Sequence, residues 1–295
     1  GNVNNSGTLA FNRSNTYTFG GAVSGSGALA QQGTGTTVLT GTNTYTGGTT
    51  VSNGTLQLGN GGTTGTIAGN VAVGSGATLA VNRSNTATLG GDISGGGRLV
   101  QQGNGTTVLT GTNTYTGGTT VGNGTLQIGN GGTTGSIVGN VAVSAGAALA
   151  FNRSDAVGFA GTISGAGDLL QQGAGTTVLT GNNSYTGGTT VSKGTLQLGN
   201  GGTTGAIVGN VAIASGTTLA VDRSDTVVLP GAISGAGRLV QQGGGTTVLA
   251  ANNSYSGGTT IGAGTLQVGN GGGTGSLGSG AVVNNGALVF NRTGT

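Results

Sequence analysis

Apolar residues recur along the chain in one two-part figure. A Val or Ile is followed five or six residues later by a Leu, with a small residue in the turn between, as in TTVSNGTLQLGN over 49–60. The Leu positions are Leu9, Leu29, Leu56, Leu79, Leu99, Leu126, Leu149, Leu169, Leu196, Leu219, Leu239, Leu266 and Leu288. Their partners are Val3, Val23, Val51, Val73, Ile93, Val121, Val143, Ile163, Val191, Ile213, Ile233, Ile261 and Val283. Around them apolar and polar residues alternate with period two, as in Leu79-Ala80-Val81, which predicts strands and not helices. Leu56 and Leu58 are expected to point inward, so Thr55 and Gln57 point outward. The position before each Leu collects Thr55, Thr78, Arg98, Thr125, Asp168, Thr195, Arg238 and Thr265, which places most stray charges on the outer side and supports the register.

Composition explains how so thin a pattern can make a core. Of 295 residues 72 are Gly and one is Pro, charged residues are 4% and aromatics 3%. Such Gly content borders on low complexity, but disordered chains carry high net charge and few β-branched residues. Here the net charge is only +3, and Thr and Val are abundant at fixed positions. A globular domain of this length wants a thick core with large aromatics. A solenoid needs only a thin one, because each turn buries its face on its neighbours.

The strict period is 70 residues: Tyr45, Tyr115, Tyr185 and Tyr255 are one period apart, and so are Asn12, Asn82, Asn152 and Asp222. Each unit is expected to divide into three turns of 22, 22 and 26 residues, as in 49–70, 71–92 and 93–118. Three short strands per turn is the arithmetic of a parallel β-helix. The fold class predicted is all-β, a single parallel β-helix of about thirteen turns over residues 1–295, with Leu56, Leu79, Leu99, Leu126, Val51, Val73, Ile93 and Val121 defining its core. At a strand spacing of about 4.8 Å, a three-turn unit would advance roughly 14 Å. One position resists: two after the Leu, the third turn of each unit carries Gln31, Gln101, Gln171 or Gln241 where the others carry an apolar residue. Either the amide is buried and paired or the strand ends early and turns it outward; because an unpaired buried amide costs a few kcal/mol, the outward turn is expected. No leader peptide, apolar helical span or polar end cap is recognisable, and the sequence reads as part of a longer repeat array.

The stretch GRLVQQGNGTTVLTGTNTYTGGTTVGNGTLQIG, residues 97–129, resembles the autotransporter-associated β-strand repeat of bacterial passenger domains. Matching copies lie near 27–58, 97–128, 167–198 and 237–268. The order Gly-x-Leu, GTTVLTG, N-x-Tyr-x-GG-T-T, G-T-L-Q carries the resemblance; Gln stands where such repeats often have Lys after the Leu strand. The resemblance implies a protein exported through the outer membrane of a Gram-negative bacterium to its surface, in which these repeats form a rigid stalk, often within adhesins. Together with the rule for parallel crossovers it implies right-handed winding. The absence of Cys suits passage through a pore but is equally normal in the cytosol.

Catalysis is hard to assemble from this inventory. There is no His, Cys or Glu, and the five acids are Asp92, Asp155, Asp168, Asp222 and Asp225. Cys/His and Ser-His-Asp chemistry and the usual zinc sites are excluded, and no carboxylate pair recurs at glycosidase spacing. The GNGGTTG loops carry no acid for calcium and no Gly-Lys-Ser/Thr ending for phosphate. No enzyme activity, cofactor or metal is expected. The column Arg13, Arg83, Arg153, Arg223 and Arg292 is too sparse, and too poor in flanking aromatics, for a nucleic-acid groove; bonding to loop carbonyls or to Asp155 and Asp225 is the expected role. The pI near 9.7 comes from eight basic and five acidic groups and overstates the field.

One feature suggests contact. Twelve steps separate Leu109 from Val121, against four between Leu89 and Ile93. The surplus TNTYTGG carries Tyr115 beside Asn113, and its copies carry Tyr45 with Asn43, Tyr185 with Asn183 and Tyr255 with Asn253. Either the loops project and offer a row of Tyr and amides for repeated weak contacts with glycans, a host or bacterial surface, or a neighbouring copy, or each loop folds back and its Tyr covers a strand edge. The sequence thus predicts a non-enzymatic surface stalk of an adhesin-type passenger; a self-associating extracellular matrix or biofilm filament, joined laterally or end to end, is the alternative.

Overall fold

The structure is a computed structural model that describes residues 1–294. It contains strands and turns and, among the described residues, no helix. Two compact units are distinguished, one of 1–130 with 134–149, the other of 131–133 with 150 onward. Each is a parallel β-solenoid.

In the first unit one face stacks Thr8–Phe11, Ala28–Gln31, Thr49–Val51, Val71–Val73 and Ile93–Ser94. A second stacks Tyr17–Phe19, Thr36–Leu39, Thr55–Leu58, Thr78–Val81, Arg98–Gln101, Thr119–Val121 and Val141–Val143. The third holds Val3–Asn4 on Val23–Ser24, the bridge between Thr42 and Thr66, and then Ala87–Leu89, Thr106–Leu109 and Thr125–Ile128. The second unit repeats the plan with faces running Ala156–Phe159 to Val282–Asn284, Asp168–Gln171 to Ile233–Gly235, and Thr226–Leu229 to Ala287–Phe290. Every pairing is parallel, and the aliphatic residues that define the core lie between the faces.

The register corrects the expected three-turn unit. Three turns starting from Thr37 climb through Leu56 and Leu79 to Leu99, which is eight residues short of Thr107, the residue one period on. Thr107 therefore lies on the next face. From Ala28 to Gly97 the chain makes ten stations, eight strands and the bridged stretches at Thr42 and Thr66, on three faces. One 70-residue period is thus three and one-third turns, and at a strand spacing of about 4.8 Å it advances roughly 16 Å. Thr55–Leu58 accordingly lies on one sheet of its unit and its equivalent Thr125–Ile128 on another; in the second unit Thr195–Leu198 and Thr265–Val268 differ in the same way.

The columns change with it. Leu56, Leu79 and Leu99 stack directly, but the residue above Leu99 is Thr119, and Gln101 stacks between Val81 and Val121. The missing third of a turn is the stretch TNTYTGG. It does not project: the N–H groups of Thr44 and Thr46 donate to the carbonyls of Val23 and Gly25 one turn below, so the stretch lies on the third face as a station of its own. Close stacking explains some glycines. A Cβ on Gly117 would lie 2.5 Å from the carbonyl oxygen of Gly97, closer than packing allows.

Candidate functional site

The residues singled out for contact are inside. Tyr45, Tyr115, Tyr185 and Tyr255 are each 0% exposed, and Asn43, Asn113, Asn183 and Asn253 are buried. The expectation of an outward row is therefore corrected in favour of the fold-back alternative. Each Tyr hydroxyl shares a 2.6–2.7 Å hydrogen bond with the Thr four residues on: Thr49, Thr119, Thr189 and Thr259. That Thr is the one that interrupts the leucine column, as Leu29 under Thr49 and Leu239 under Thr259 illustrate. The stretch thus supplies the ring that fills its station and the hydroxyl that satisfies a buried polar group. Burial pushes the phenol pKa of Tyr45 and of Tyr115 up to about 12, and raises those of Tyr185 and Tyr255, although the Thr hydrogen bond pulls the other way.

Asn43 ties three turns together. Its Oδ1 accepts from the Val23 N–H at 2.8 Å, one turn back, and its Nδ2 donates to the Thr66 carbonyl at 2.8 Å, one turn on. Asn113, Asn183 and Asn253 do the same between Ile93 and Ser136, Ile163 and Ala206, and Ile233 and Ser276. These amides replace ladder bonds where the third-of-a-turn station is too irregular for a full strand.

The glutamines are a second correction. Gln31, Gln101, Gln171 and Gln241 are 1% exposed and do not turn outward. Gln101 Nε2 donates to the carbonyls of Gly103 at 2.7 Å and Gly105 at 3.2 Å, and its Oε1 accepts from the Thr107 hydroxyl at 2.5 Å. The premise that a buried amide costs too much fails because the amide is fully paired, and no buried side-chain polar atom among the described residues is without a partner.

Most arginines are clamps. Arg83, itself buried, donates to the carbonyls of Gly65 and Thr63, which closes the GNGGTTG loop one turn below. Arg223 and Arg292 hold their loops likewise, and Arg153 and Arg223 also pair with Asp155 and Asp225 at 2.7 Å. Hydrogen bonding from Arg153 holds the Asp155 carboxyl below the usual carboxylate range. Arg13 lies 5.0 Å above the Tyr17 ring. Leu56, Leu79, Leu99, Leu126, Val51, Val73, Ile93 and Val121 are all buried, at 0–1% exposure. Among the described residues no three acids, His or Cys gather as metal ligands, and no helix is long and apolar enough to cross a membrane.

Alternation alone does not mark the Thr partners, although the Tyr-x-x-x-Thr spacing recurs in every period. The four stretches that contain these staples, residues 29–58, 99–128, 169–198 and 239–268, match the model of the passenger-associated-transport-repeat. Within those four stretches the chain is similar to this passenger-associated repeat. The chain is also similar to the adhesin BmaC autotransporter of Brucella suis biovar 1 (strain 1330), 38% identical over 152 residues. That match takes in 45% of this chain and 4% of that much longer protein. No solved structure gives a significant match. The passenger repeats thus correspond to the part of each period that carries the glutamine, tyrosine and asparagine staples, while the intervening residues complete the solenoid.

Proposed function

We propose that the chain is a non-enzymatic stalk of an adhesin-type passenger, displayed on the outer surface of a Gram-negative cell. The observation that carries this reading is where the polar side chains go. The most conspicuous repeated ones are engaged within the coil: Asn113 and Arg83 bond to neighbouring turns, and Tyr115 and Gln101 are buried and bond to residues within six positions of themselves. The repeat itself is built for stiffness, and the similarity to an adhesin autotransporter supports the surface setting. Inward-pointing tyrosines also remove the feature that had favoured lateral association into a matrix filament.

The stalk reading is tested by removing length. In the cell-displayed full protein, excision of residues 71–140, one whole period, is expected to leave export and adhesion intact. Loss of adhesion on excision, with the rest still exported and folded, would put the contact in the repeats and overturn the stalk reading. The purified chain is expected to stay monomeric at neutral pH; concentration-dependent fibres would favour the filament.

A further inference from the structure

Besides Arg13, which lies over Tyr17, two arginines are not accounted for by the clamps. Arg98 and Arg238 occupy equivalent positions at the starts of Arg98–Gln101 and Arg238–Gln241, both exposed. Each lays its guanidinium back over the preceding turn, where Nε donates to a Thr hydroxyl at 2.9 Å, Thr78 for Arg98 and Thr218 for Arg238. That bond fixes one edge of the guanidinium plane, and neither side chain pairs with a carboxylate among the described residues. In the other copies the position holds Ala28 or Asp168, and Asp168 turns the opposite way, accepting from the Gly188 N–H one turn on.

Beside each guanidinium lies a recess. The one at Arg98, about 210 Å³, is lined by Gly76, Ala77, Gly96, Gly97 and Gly117. The one at Arg238, about 310 Å³, is lined by Gly216, Thr217, Ala236, Gly237 and Gly257. Stacking demands several of these glycines: a Cβ on Gly97 would lie 2.5 Å from the Gly74 carbonyl oxygen, and one on Gly237 would lie 2.7 Å from that of Ala214. The recess itself is therefore a by-product of the corner, and the arginine at its rim is what distinguishes these two corners. Beneath each arginine runs a column of hydroxyls paired rung by rung, half-buried Thr36 and Thr55 and buried Thr78 in one unit, half-buried Thr176 and Thr195 and buried Thr218 in the other.

From this arrangement we propose that Arg98 and Arg238 each form a binding site for a uronate-type carboxylate of an acidic polysaccharide. A planar guanidinium with one edge fixed and the other open suits a carboxylate held by two parallel hydrogen bonds. Apart from the arginine itself, the recess has no lining side chain larger than Thr217 and no aromatic, so an apolar side chain has little there to bury against. A sugar ring, with hydroxyls all round, uses the exposed peptide groups and Thr hydroxyls that remain. Each site is shallow and binds weakly. The assignment does not depend on the stalk reading, since a stalk with or without these sites still carries its adhesive part elsewhere.

The test is a titration of the intact chain, at constant ionic strength, with a hexuronate oligomer, read by NMR at the arginine Nε–H resonances. Saturable shifts at Arg98 and Arg238 are expected, with at least a fivefold weaker response to the carboxyl-reduced, neutral oligomer. The double variant Arg98→Gln and Arg238→Gln is expected to lose the response while melting unchanged, and the double Arg→Lys variant to lose most of it. Equal shifts at Arg13, an equal response to neutral sugar or to poly-aspartate, or no shift at all would overturn the assignment. The wild-type titration decides the matter even if the variants do not fold.

Discussion

At the scale of single residues the chain is held by polar groups in places where a solenoid of this kind would be expected to use aliphatic ones. Tyr115 and Thr119 satisfy each other in the core. Tyr115→Phe leaves the Thr119 hydroxyl short of a partner and is expected to cost about 1 kcal/mol, whereas Tyr115→Ala empties the station and is expected to cost about 3–5 kcal/mol; chemical denaturation measures both. Because folding raises the phenol pKa above the ordinary value of 10, the unfolded chain gives up these protons first as pH rises. The stability this contributes is whole below pH 10 and falls as pH climbs through about 12, so the melting temperature is expected to drop steeply across that window while the buried tyrosines ionise only on unfolding, an ultraviolet titration being the measurement. Gln101→Leu removes the amide that serves the Gly103 carbonyl and the Thr107 hydroxyl, while the Gly105 carbonyl keeps the Thr125 N–H, at roughly 1–3 kcal/mol. Gln101→Leu with Thr107→Val removes the hydroxyl as well, and a double-mutant cycle is expected to show the two positions strongly coupled.

At the scale of elements the decisive piece is the stretch around Asn43 and Tyr45. It is a short station without a regular strand, and its ladder bonds are completed by the Asn side chain toward the turns on both sides. Removing Thr42–Gly48 takes out one station and pushes every later strand onto the wrong face of its predecessor. That small deletion is expected to be more damaging than excision of the ten-times-longer 71–140, which removes a whole period and lets the join meet an equivalent residue. Circular dichroism and thermal melting of the two variants make the comparison. The Arg clamps act on a neighbouring element, the exposed GNGGTTG loop. Asp155 assists one of them, and since its pKa is depressed in the fold, its contribution is present above the ordinary carboxylate range and fades as pH falls through the folded value. Asp155→Asn is expected to change stability little at neutral pH, because the pair is partly exposed.

At the scale of the whole molecule the consequence is in what each period presents. A period of three turns would line up every equivalent surface group on one side. Three and one-third turns moves each group one face on, as the sheets of Thr55–Leu58 and Thr125–Ile128 show within one unit. Repeated surface residues therefore do not form a ladder along a single face, which works against the flat, register-matched edge pairing that leads to lateral aggregation. Excision of one period is expected to lower the denaturant slope m in proportion to the surface removed while leaving a cooperative transition, since each turn contacts only its neighbours.

Alternation in the sequence settled which residues point inward, because in a strand that depends only on the local backbone. It settled the parallel solenoid class too, since thirteen Val/Ile–Leu figures with so few aromatics can bury themselves only by stacking. Leu56 over Leu79 over Leu99 was legible for the same reason: the turns that join them carry no extra station. What lies above Leu99 was not legible, because a side chain's inward direction says nothing about how many residues the next turn consumes. That was decided when TNTYTGG folded back to become a tenth station, with Tyr115 closing on Thr119 and Asn113 tying the turns on either side. Gln101 lies inside because the corner that follows it turns the Gly103 and Gly105 carbonyls and the Thr107 hydroxyl back onto its amide, a local geometry that alternation alone does not report.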